Sequence, residues 1–227
     1  MSPGELILKL AFVAVIASVA FFITSLRGKR SATAGVWAFR IHAVLVTAAM
    51  GLLSYYFVAH HFEYEYVANY SSRALSPALA FASSWAGQEG SVLLWAMFGA
   101  LVGLAVLRQP GMLTRAAMFF VSLMQFFLML LLMVRSPFRL SVVVPPDGKG
   151  LNPLLEDPWM VIHPPVLFLG YAAMLVPFAI AAAALVRKEY KDWDRTVWPW
   201  SLFAVLTLGT GIVLGGIWAF AVLGWGG

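Results

Sequence analysis

The residue best suited to chemistry is a histidine that two prolines follow directly. His163 lies in the stretch EDPWMVIHPPVLFLGY, at the start of a long apolar segment. Proline disfavours the α conformation in the residue before it, and its ring fits the first turn of a helix. We therefore expect His163 where a loop gives way to the main body of a helix, at the membrane surface. There a stiff backbone can aim the imidazole at a ligand or metal. A histidine that only hydrogen-bonds a loop carbonyl is the alternative.

Aromatic and basic side chains accompany this histidine. Trp159, Phe168 and Tyr171 could flank a flat hydrophobic guest. Arg135 and Arg139, in VRSPFRL, leave the preceding apolar segment on the same side of the membrane. Guanidinium groups bind carboxylates with two parallel hydrogen bonds, so the arginines would suit an anionic ligand. The alternative is that they only anchor a helix end.

A second polar stretch, SSWAGQEGSVLLW, precedes another apolar segment. Gln88 and Glu89 stand between two glycines, Gly87 and Gly90, whose backbone can approach another surface closely. Glu89 also falls near a predicted helix N-terminus, where the helix dipole favours a carboxylate. We therefore expect this stretch, with Trp85, to shape the end of the helix that follows. Simple capping by Glu89, or an electrostatic contact with a partner loop, are the alternatives.

The other three histidines carry weaker signals. His60 and His61, in FVAHHFEYEY, would point about 100° apart on a helix, so they make a poor chelating pair. Packing at the membrane interface is the simpler interpretation. His42 lies two residues after Arg40 and can face the bundle interior, and its role stays open. The chain has no cysteine, which excludes disulfides, thiolate metal sites and a cysteine nucleophile.

Composition identifies an integral membrane protein. The 227 residues are 62% hydrophobic and 11% charged, with a mean hydropathy of +0.86, whereas soluble domains are roughly half apolar and a quarter charged. A helix needs about 20 apolar residues to cross the hydrocarbon core. We predict an all-α, polytopic membrane helix bundle that forms a single domain over 1–227. Its six spans are expected at 5–25, 37–58, 92–108, 114–134, 160–186 and 199–223.

The charges of the loops predict how the bundle is oriented. Nine of the fifteen lysines and arginines fall between the first and second, third and fourth, and fifth and sixth spans: Arg27, Lys29, Arg30, Arg108, Arg115, Arg187, Lys188, Lys191 and Arg195. The longer 59–91 and 135–158 loops carry a balance of both signs. The positive-inside rule then places these two loops and both termini on the non-cytoplasmic side, which in a bacterium is the periplasm. The net charge of +5 is explained by this topology, and we expect no nucleic-acid partner.

Three motifs together resemble the N-terminal part of the CcmF-type cytochrome c haem lyases, a family of cytochrome c assembly proteins. They are YVANYSSRALSPALAFASSWAGQEGSVLLW, LNPLLEDPWMVIHPPVLFLGY and LTLGTGIVLGGIWAFAVLGWGG. The resemblance implies cytochrome c biogenesis, in which haem is held on a tryptophan-rich periplasmic surface between two histidines and ligated to a C-x-x-C-H apocytochrome c. His163 matches the first of these axial ligands to the haem iron. The further candidates for the haem site are Trp85, Gln88, Glu89, Arg135, Arg139 and Trp159.

The resemblance also implies partners and a location. The partners are a periplasmic haem chaperone, apocytochrome c, thiol-handling cytochrome c maturation subunits and, where the lyase is divided, a separate chain with the rest of it. Membrane lipid surrounds the bundle. The location is the bacterial inner membrane, with the functional face in the periplasm, or the mitochondrial inner membrane for an organellar protein.

Part of the family pattern is missing from this sequence. A tryptophan-rich segment of the form W-W-F-W-D-P should follow LGWGG, and the second periplasmic histidine and the histidines of an intramembrane haem b belong to later parts of the family sequence. We therefore expect this chain to be part of a haem lyase assembly and not a complete enzyme by itself.

Two other functions remain open at this stage. A haem or anion transporter subunit would need polar residues through the middle of its spans. The candidates, Arg40, His42, Gln125 and Thr207 or Thr210, lie on no obvious single stripe. A structural membrane subunit with no cofactor of its own is the other alternative, because one histidine of a two-histidine site would bind haem weakly.

Overall fold

The computed structural model describes residues 1–26, 31–109, 111–191 and 193–225. Arg27, Lys29 and Arg30, which carry part of the orientation argument, lie outside the described residues. So do the last two glycines of the LGWGG motif.

Nearly all of the described chain is helical. In chain order the helices are α1 (Pro3–Ser25), α2 (Ser31–Val58), α3 (Glu65–Tyr70), α4 (Pro77–Ser83), α5 (Gln88–Val106), α6 (Met112–Val134), α7 (Trp159–Arg187) and α8 (Trp193–Leu223), with a 3₁₀ turn at Pro153–Leu155. Six of them are long and apolar enough to cross a membrane, which confirms the predicted class and the predicted spans. All six begin earlier than the sequence suggested, and three of them do so by four residues or more: α2 at Ser31, α5 at Gln88 and α8 at Trp193.

The two longer loops and the N-terminus meet at one end of the bundle, here called the long-loop end and formed by segments 59–87 and 135–158. Ser2 and Glu5 form a reciprocal capping box at the start of α1. The Ser2 hydroxyl also donates to the Phe138 carbonyl at 3.0 Å. The described basic residues between α5 and α6, and between α7 and α8, lie at the opposite end. The long loops and the basic residues thus lie at opposite ends of the bundle, as the loop charges predict. Which end faces the periplasm stays a prediction.

Backbone hydrogen bonds hold the two long loops against each other. Tyr64 and Leu140 form an antiparallel bridge, and Lys149 N–H donates to the Ala68 carbonyl at 2.8 Å. The Asp147 carboxylate accepts the backbone N–H of Arg73 at 3.0 Å. This hydrogen bond is the main cause that lowers the pKa of Asp147 below its ordinary value.

The long helices pack in pairs around α5, which contacts α2, α6 and α7. The last helix, α8, packs mainly on α7, and only Ala204 and Gly211 in it are buried. A Cβ atom at Gly170 would lie 2.6 Å from the backbone of Leu208, and one at Gly211 would lie 2.8 Å from that of Leu167. Small residues let these two helices approach closely, as in other membrane helix pairs.

A buried polar pair lies inside the bundle, which sequence reasoning did not foresee. His42 is fully buried, and its Nδ1 lies 3.0 Å from the Ala11 carbonyl. A carbonyl only accepts, so Nδ1 carries the proton, and Nε2 of the neutral ring needs a donor. Gln125 supplies it at 3.1 Å when its amide nitrogen faces the ring, and the same nitrogen then donates to the Ala96 carbonyl at 3.1 Å. Gly99 leaves the room for this amide.

The polar residues considered for a transport path do not form one. Arg40 is exposed and lies over the Trp37 ring at 5.0 Å. The Thr207 hydroxyl donates to the Phe203 carbonyl of its own helix at 2.8 Å. Of these candidate polar residues, only His42 and Gln125 contact each other, and the hydrogen bond between their side chains is internal to the bundle.

We expect Gln125→Leu to lower the free energy of unfolding by about 1–3 kcal/mol, because Nε2 of His42 would be buried without a donor. Thermal unfolding in detergent, followed by tryptophan fluorescence, measures the change. Phe127→Leu is the control, since it alters an exposed position of the same helix. Equal losses in both variants would contradict the proposed role of the pair.

Candidate functional site

The prolines after His163 lie inside α7 and not at its start. The helix begins at Trp159 and continues through Pro164 and Pro165, so His163 stands in its second turn. The expected junction of loop and helix therefore lies four residues earlier than predicted. Because proline has no N–H, Pro164 cannot donate to the carbonyl of Met160, and Pro165 cannot donate to that of Val161.

The side chain of Trp85 supplies a hydrogen-bond donor in place of the backbone N–H that Pro164 lacks. Its indole N–H donates to the Met160 carbonyl at 3.0 Å, and the side chain is buried. A buried carbonyl without a partner would cost about 1–3 kcal/mol. The hydrogen bond therefore joins the SSWAGQEG stretch to the HPP stretch at the position where the α7 backbone needs it.

The imidazole of His163 has a fixed orientation. Its Nδ1 lies 2.9 Å from the carbonyl of Gly211 on α8. Since a carbonyl accepts, Nδ1 carries the proton, and in the neutral ring Nε2 keeps a lone pair. The ring lies against Gly215, where a Cβ atom would come within 2.6 Å of the ring carbon Cε1. Because glycine has no side chain, the ring fits between α7 and α8 at this position.

His163 lines a cavity of about 210 Å³ at the long-loop end. Tryptophans dominate the cavity, and its full lining is Trp85, Ala86, Ser91, Leu155, Trp159, Met160, His163, Pro164 and Trp218. The indole N–H of Trp218 donates to the Leu154 carbonyl at 3.3 Å, which ties the 3₁₀ turn to α8. The cavity can therefore offer one imidazole and several aromatic surfaces to a flat apolar molecule.

A buried tyrosine fixes the turn that carries Trp85. The Tyr66 hydroxyl accepts the Gly87 N–H at 2.9 Å and donates to the Ser84 carbonyl at 3.4 Å. Burial raises the pKa of this phenol well above its ordinary value, so the hydroxyl keeps its proton. A Cβ at Gly87 or Gly90 would collide with Tyr66. This confirms that the two glycines allow a close approach.

The other predicted site residues lie apart from His163. Gln88, Glu89 and Arg135 line a second cavity of about 250 Å³ between α5 and α6, and Arg135 Nη1 donates to Gln88 Oε1 at 3.3 Å. Arg139 pairs with Glu65 at 3.5 Å, and both side chains are exposed. Of the candidates for the haem site, the structure therefore brings together Trp85, Trp159 and His163.

His60 and His61 do not converge on a common point. His61 Nδ1 lies 2.7 Å from the Glu63 carboxylate, and its ring contacts that of Tyr56. His60 takes a left-handed conformation, with φ of 57°, just after α2. Within the described residues, no group of three His, Cys, Asp or Glu side chains could hold a metal ion. The interfacial interpretation of both histidines fits these contacts.

Sequence reasoning missed several residues of the site. Met160 could have been found, because a proline four residues later predicts an unpaired carbonyl. Trp218 lies three residues after Gly215 in a quoted motif, so its place beside His163 follows once α7 and α8 are known to pair. Tyr66 gives no such signal, since its partners are backbone groups about 20 positions away in the chain.

We expect Trp85→Phe to lower stability by about 1–3 kcal/mol, because it keeps an aromatic wall and leaves the Met160 carbonyl without a donor. Pro164→Ala restores a backbone N–H at the position that can donate to the same carbonyl. The loss should therefore be clearly smaller when Trp85→Phe is made in the Pro164→Ala background. A double-mutant cycle of thermal or denaturant unfolding measures this coupling.

The control for this cycle is Trp37→Phe, which changes an exposed tryptophan of α2. It should show no coupling to Pro164→Ala. Equal effects of Trp85→Phe in both backgrounds would contradict the assigned hydrogen bond.

The proteins to which this chain is similar all have names from cytochrome c assembly or biogenesis. Residues 85–227 match the family model described as cytochrome C assembly protein. The chain is 40% identical over 186 residues to the cytochrome c-type biogenesis protein CcmF of Pseudomonas fluorescens, covering 79% of this chain and 28% of the relative. It is 36% identical over 189 residues to the probable cytochrome c-type biogenesis protein NrfE of Escherichia coli K12, covering 81% and 34%.

A solved structure shares the fold. The cytochrome c heme lyase CcmF superposes with a TM-score of 0.82 at 26% identity, over 100% of this chain and 38% of the lyase chain. The present chain thus spans about a third or less of the length of the curated relatives compared here.

Proposed function

Since the chain belongs to the cytochrome c assembly protein family, we propose that it forms the part of a cytochrome c haem lyase that binds one side of haem. The binding surface is the tryptophan-lined cavity at the long-loop end. The chain acts in cytochrome c maturation, and haem ligation requires the remainder of a lyase assembly. The observation that carries this proposal is the contact of 2.9 Å between His163 Nδ1 and the Gly211 carbonyl, which orients the ring and leaves Nε2 without a protein partner among the described residues.

The residues of the cavity fit part of a haem group. A neutral imidazole with a free Nε2 is a common axial ligand of haem iron. Its Nδ1–H bond to a backbone carbonyl is the kind of outer contact that orients such ligands. The indole rings of Trp85, Trp159 and Trp218 offer apolar surfaces to the flat macrocycle.

The size of the cavity supports a partial site. Its volume of about 210 Å³ is below the roughly 300–1,000 Å³ of most small-molecule pockets. The porphyrin itself supplies four ligands to the iron, so the protein need not provide a closed cage. We propose that His163 would supply one ligand to the iron and that other residues of the assembly would complete the site.

This chain's own residues would bind and orient the group. When bound, haem supplies the vinyl groups that become attached to the cysteines of apocytochrome c. His163 would hold the group through Nε2, and the tryptophans would exclude water from the part of the group that they contact. Gln88, Glu89, Arg135 and Arg139 lie elsewhere, so in this proposal they do not contact the haem.

The partners of this function meet the chain at its long-loop end. We propose that a periplasmic haem chaperone delivers haem there, and that apocytochrome c and thiol-handling maturation subunits approach the same face. The chain is a multi-pass membrane protein. Its proposed location is the bacterial inner membrane, with this end in the periplasm, as the loop charges predict.

We expect His163→Ala to abolish haem retention at this site in the lyase purified from its own membrane, because the axial ligand is removed. The Soret absorbance per protein measures retention, and added imidazole should partly restore it by occupying the vacated space. His61→Ala is the control, since it removes another histidine at the same end. Normal haem occupancy in His163→Ala would refute the assignment.

A second variant tests the orientation of the imidazole ring and leaves His163 itself unchanged. In Gly215→Ala the added Cβ must displace the imidazole from its bond to Gly211, so haem retention should fall about 10–100-fold, as for other outer contacts of metal ligands. Gly216→Ala is the matched control, because nothing lies within 4 Å of a Cβ there. Both variants gain the same helix propensity. Equal haem retention in the two would show that ring orientation is unimportant.

A further inference from the structure

A second cavity at the long-loop end differs in chemistry from the one that contains His163. It lies between the start of α5 and the end of α6, has a volume of about 250 Å³, and is lined by Gln88, Glu89 and Arg135 above an apolar wall. Neither Glu89 nor Arg135 forms an ion pair within the part of the chain that the structure describes. Two opposite charges thus line one small cavity without neutralising each other.

The position of this cavity corresponds to the headgroup level of a bilayer. The α5 span begins at Gln88 and the α6 span ends at Val134, so both helices leave the hydrocarbon core here. The apolar wall includes Val92, Leu131 and Val134. Leu131 and Val134 are 40% and 83% exposed, so this side of the cavity opens away from the interior of the described helices.

From these observations we infer that the cavity binds one aminophospholipid of the phosphatidylethanolamine type. The guanidinium of Arg135 can hold the phosphate with two hydrogen bonds. The carboxylate of Glu89 can accept hydrogen bonds from the primary ammonium, which has three donors. The side chains Val92, Leu131 and Val134 contact the glycerol and the first acyl methylenes. A zwitterion matches the net charge of the cavity, which carries one positive and one negative side chain.

The same charges disfavour the other common headgroups. Phosphatidylglycerol offers its phosphate to Arg135 but has no cation for Glu89. Phosphatidylcholine carries a trimethylammonium group, which has no N–H to donate to a carboxylate. The selectivity therefore depends on Glu89 and the general phospholipid affinity on Arg135. This inference does not depend on the proposed haem function.

Native mass spectrometry of the delipidated protein, purified from its own membrane, tests the inference. The probes are phosphatidylethanolamine, its N-methylated and N,N-dimethylated forms, phosphatidylcholine and phosphatidylglycerol, all with the same acyl chains. We expect one saturable phosphatidylethanolamine, bound about tenfold more tightly than phosphatidylcholine, as one charged hydrogen-bonded contact warrants. Affinity should fall with each methyl group added. Equal binding of all five lipids would mean unselective annular lipid and would overturn the inference.

Variants assign the two roles. Glu89→Gln should reduce phosphatidylethanolamine binding to the level of phosphatidylcholine, and Arg135→Gln should weaken all the phospholipids. Arg139→Gln is the control, because it makes the same charge change at the same end, where the arginine pairs with Glu65 outside this cavity. Arg135→Gln behaving like Arg139→Gln, or a retained preference in Glu89→Gln, would overturn the inference. The lipid series on the unmodified protein decides the question if a variant does not fold.

Discussion

The hydrogen bond from Trp85 to Met160 is the interaction on which the geometry of the site depends. The two prolines after His163 remove donors from the first turns of α7, and a buried carbonyl must then find a partner elsewhere. The indole N–H of Trp85 is that partner. The bond holds the turn before α5 against the start of α7, although the two stretches are 75 residues apart in the chain. The same tryptophan thereby forms a wall of the His163 cavity, so one side chain both completes the helix and lines the cavity.

The second constraint is the close contact of α7 with α8. Gly170 and Gly211 bring the two backbones together, and this places the Gly211 carbonyl within reach of the His163 ring. A bulkier interface would move that carbonyl away and leave the imidazole free to rotate. Because α8 packs mainly on α7, the orientation of His163 depends on this one helix pair. Glycines of the last motif therefore position the histidine of the preceding one.

The sequence was sufficient for the class of protein and the six spans, and it identified His163 as a candidate whose role stays a prediction. These follow from signals that are local in the chain: apolar length, loop charge and the HPP triplet. It was not sufficient for contacts between distant segments. By residue type alone Glu89 and Arg135 are suited to a ligand beside His163, because the sequence predicts all three at the same membrane surface. The structure separates them, since α5 presents Gln88 and Glu89 toward α6 while Trp85, in the turn before it, faces α7. His42 and Gln125 were missed as a pair for the same reason.

Electrostatics favours the separation of the His163 cavity from the cavity that Glu89 and Arg135 line. Haem carries two propionates, and a carboxylate such as Glu89 beside them would repel them strongly in a site from which water is excluded. At the cavity between α5 and α6 the same carboxylate is stabilised by its position in the first turn of α5. The His163 cavity keeps only apolar, aromatic and neutral polar groups in its lining. Within the short stretch WAGQEG, the uncharged Trp85 thus lines the His163 cavity, whereas the polar Gln88 and Glu89 line the cavity between α5 and α6. Tyr66 maintains that division, because its buried hydroxyl fixes the backbone between them.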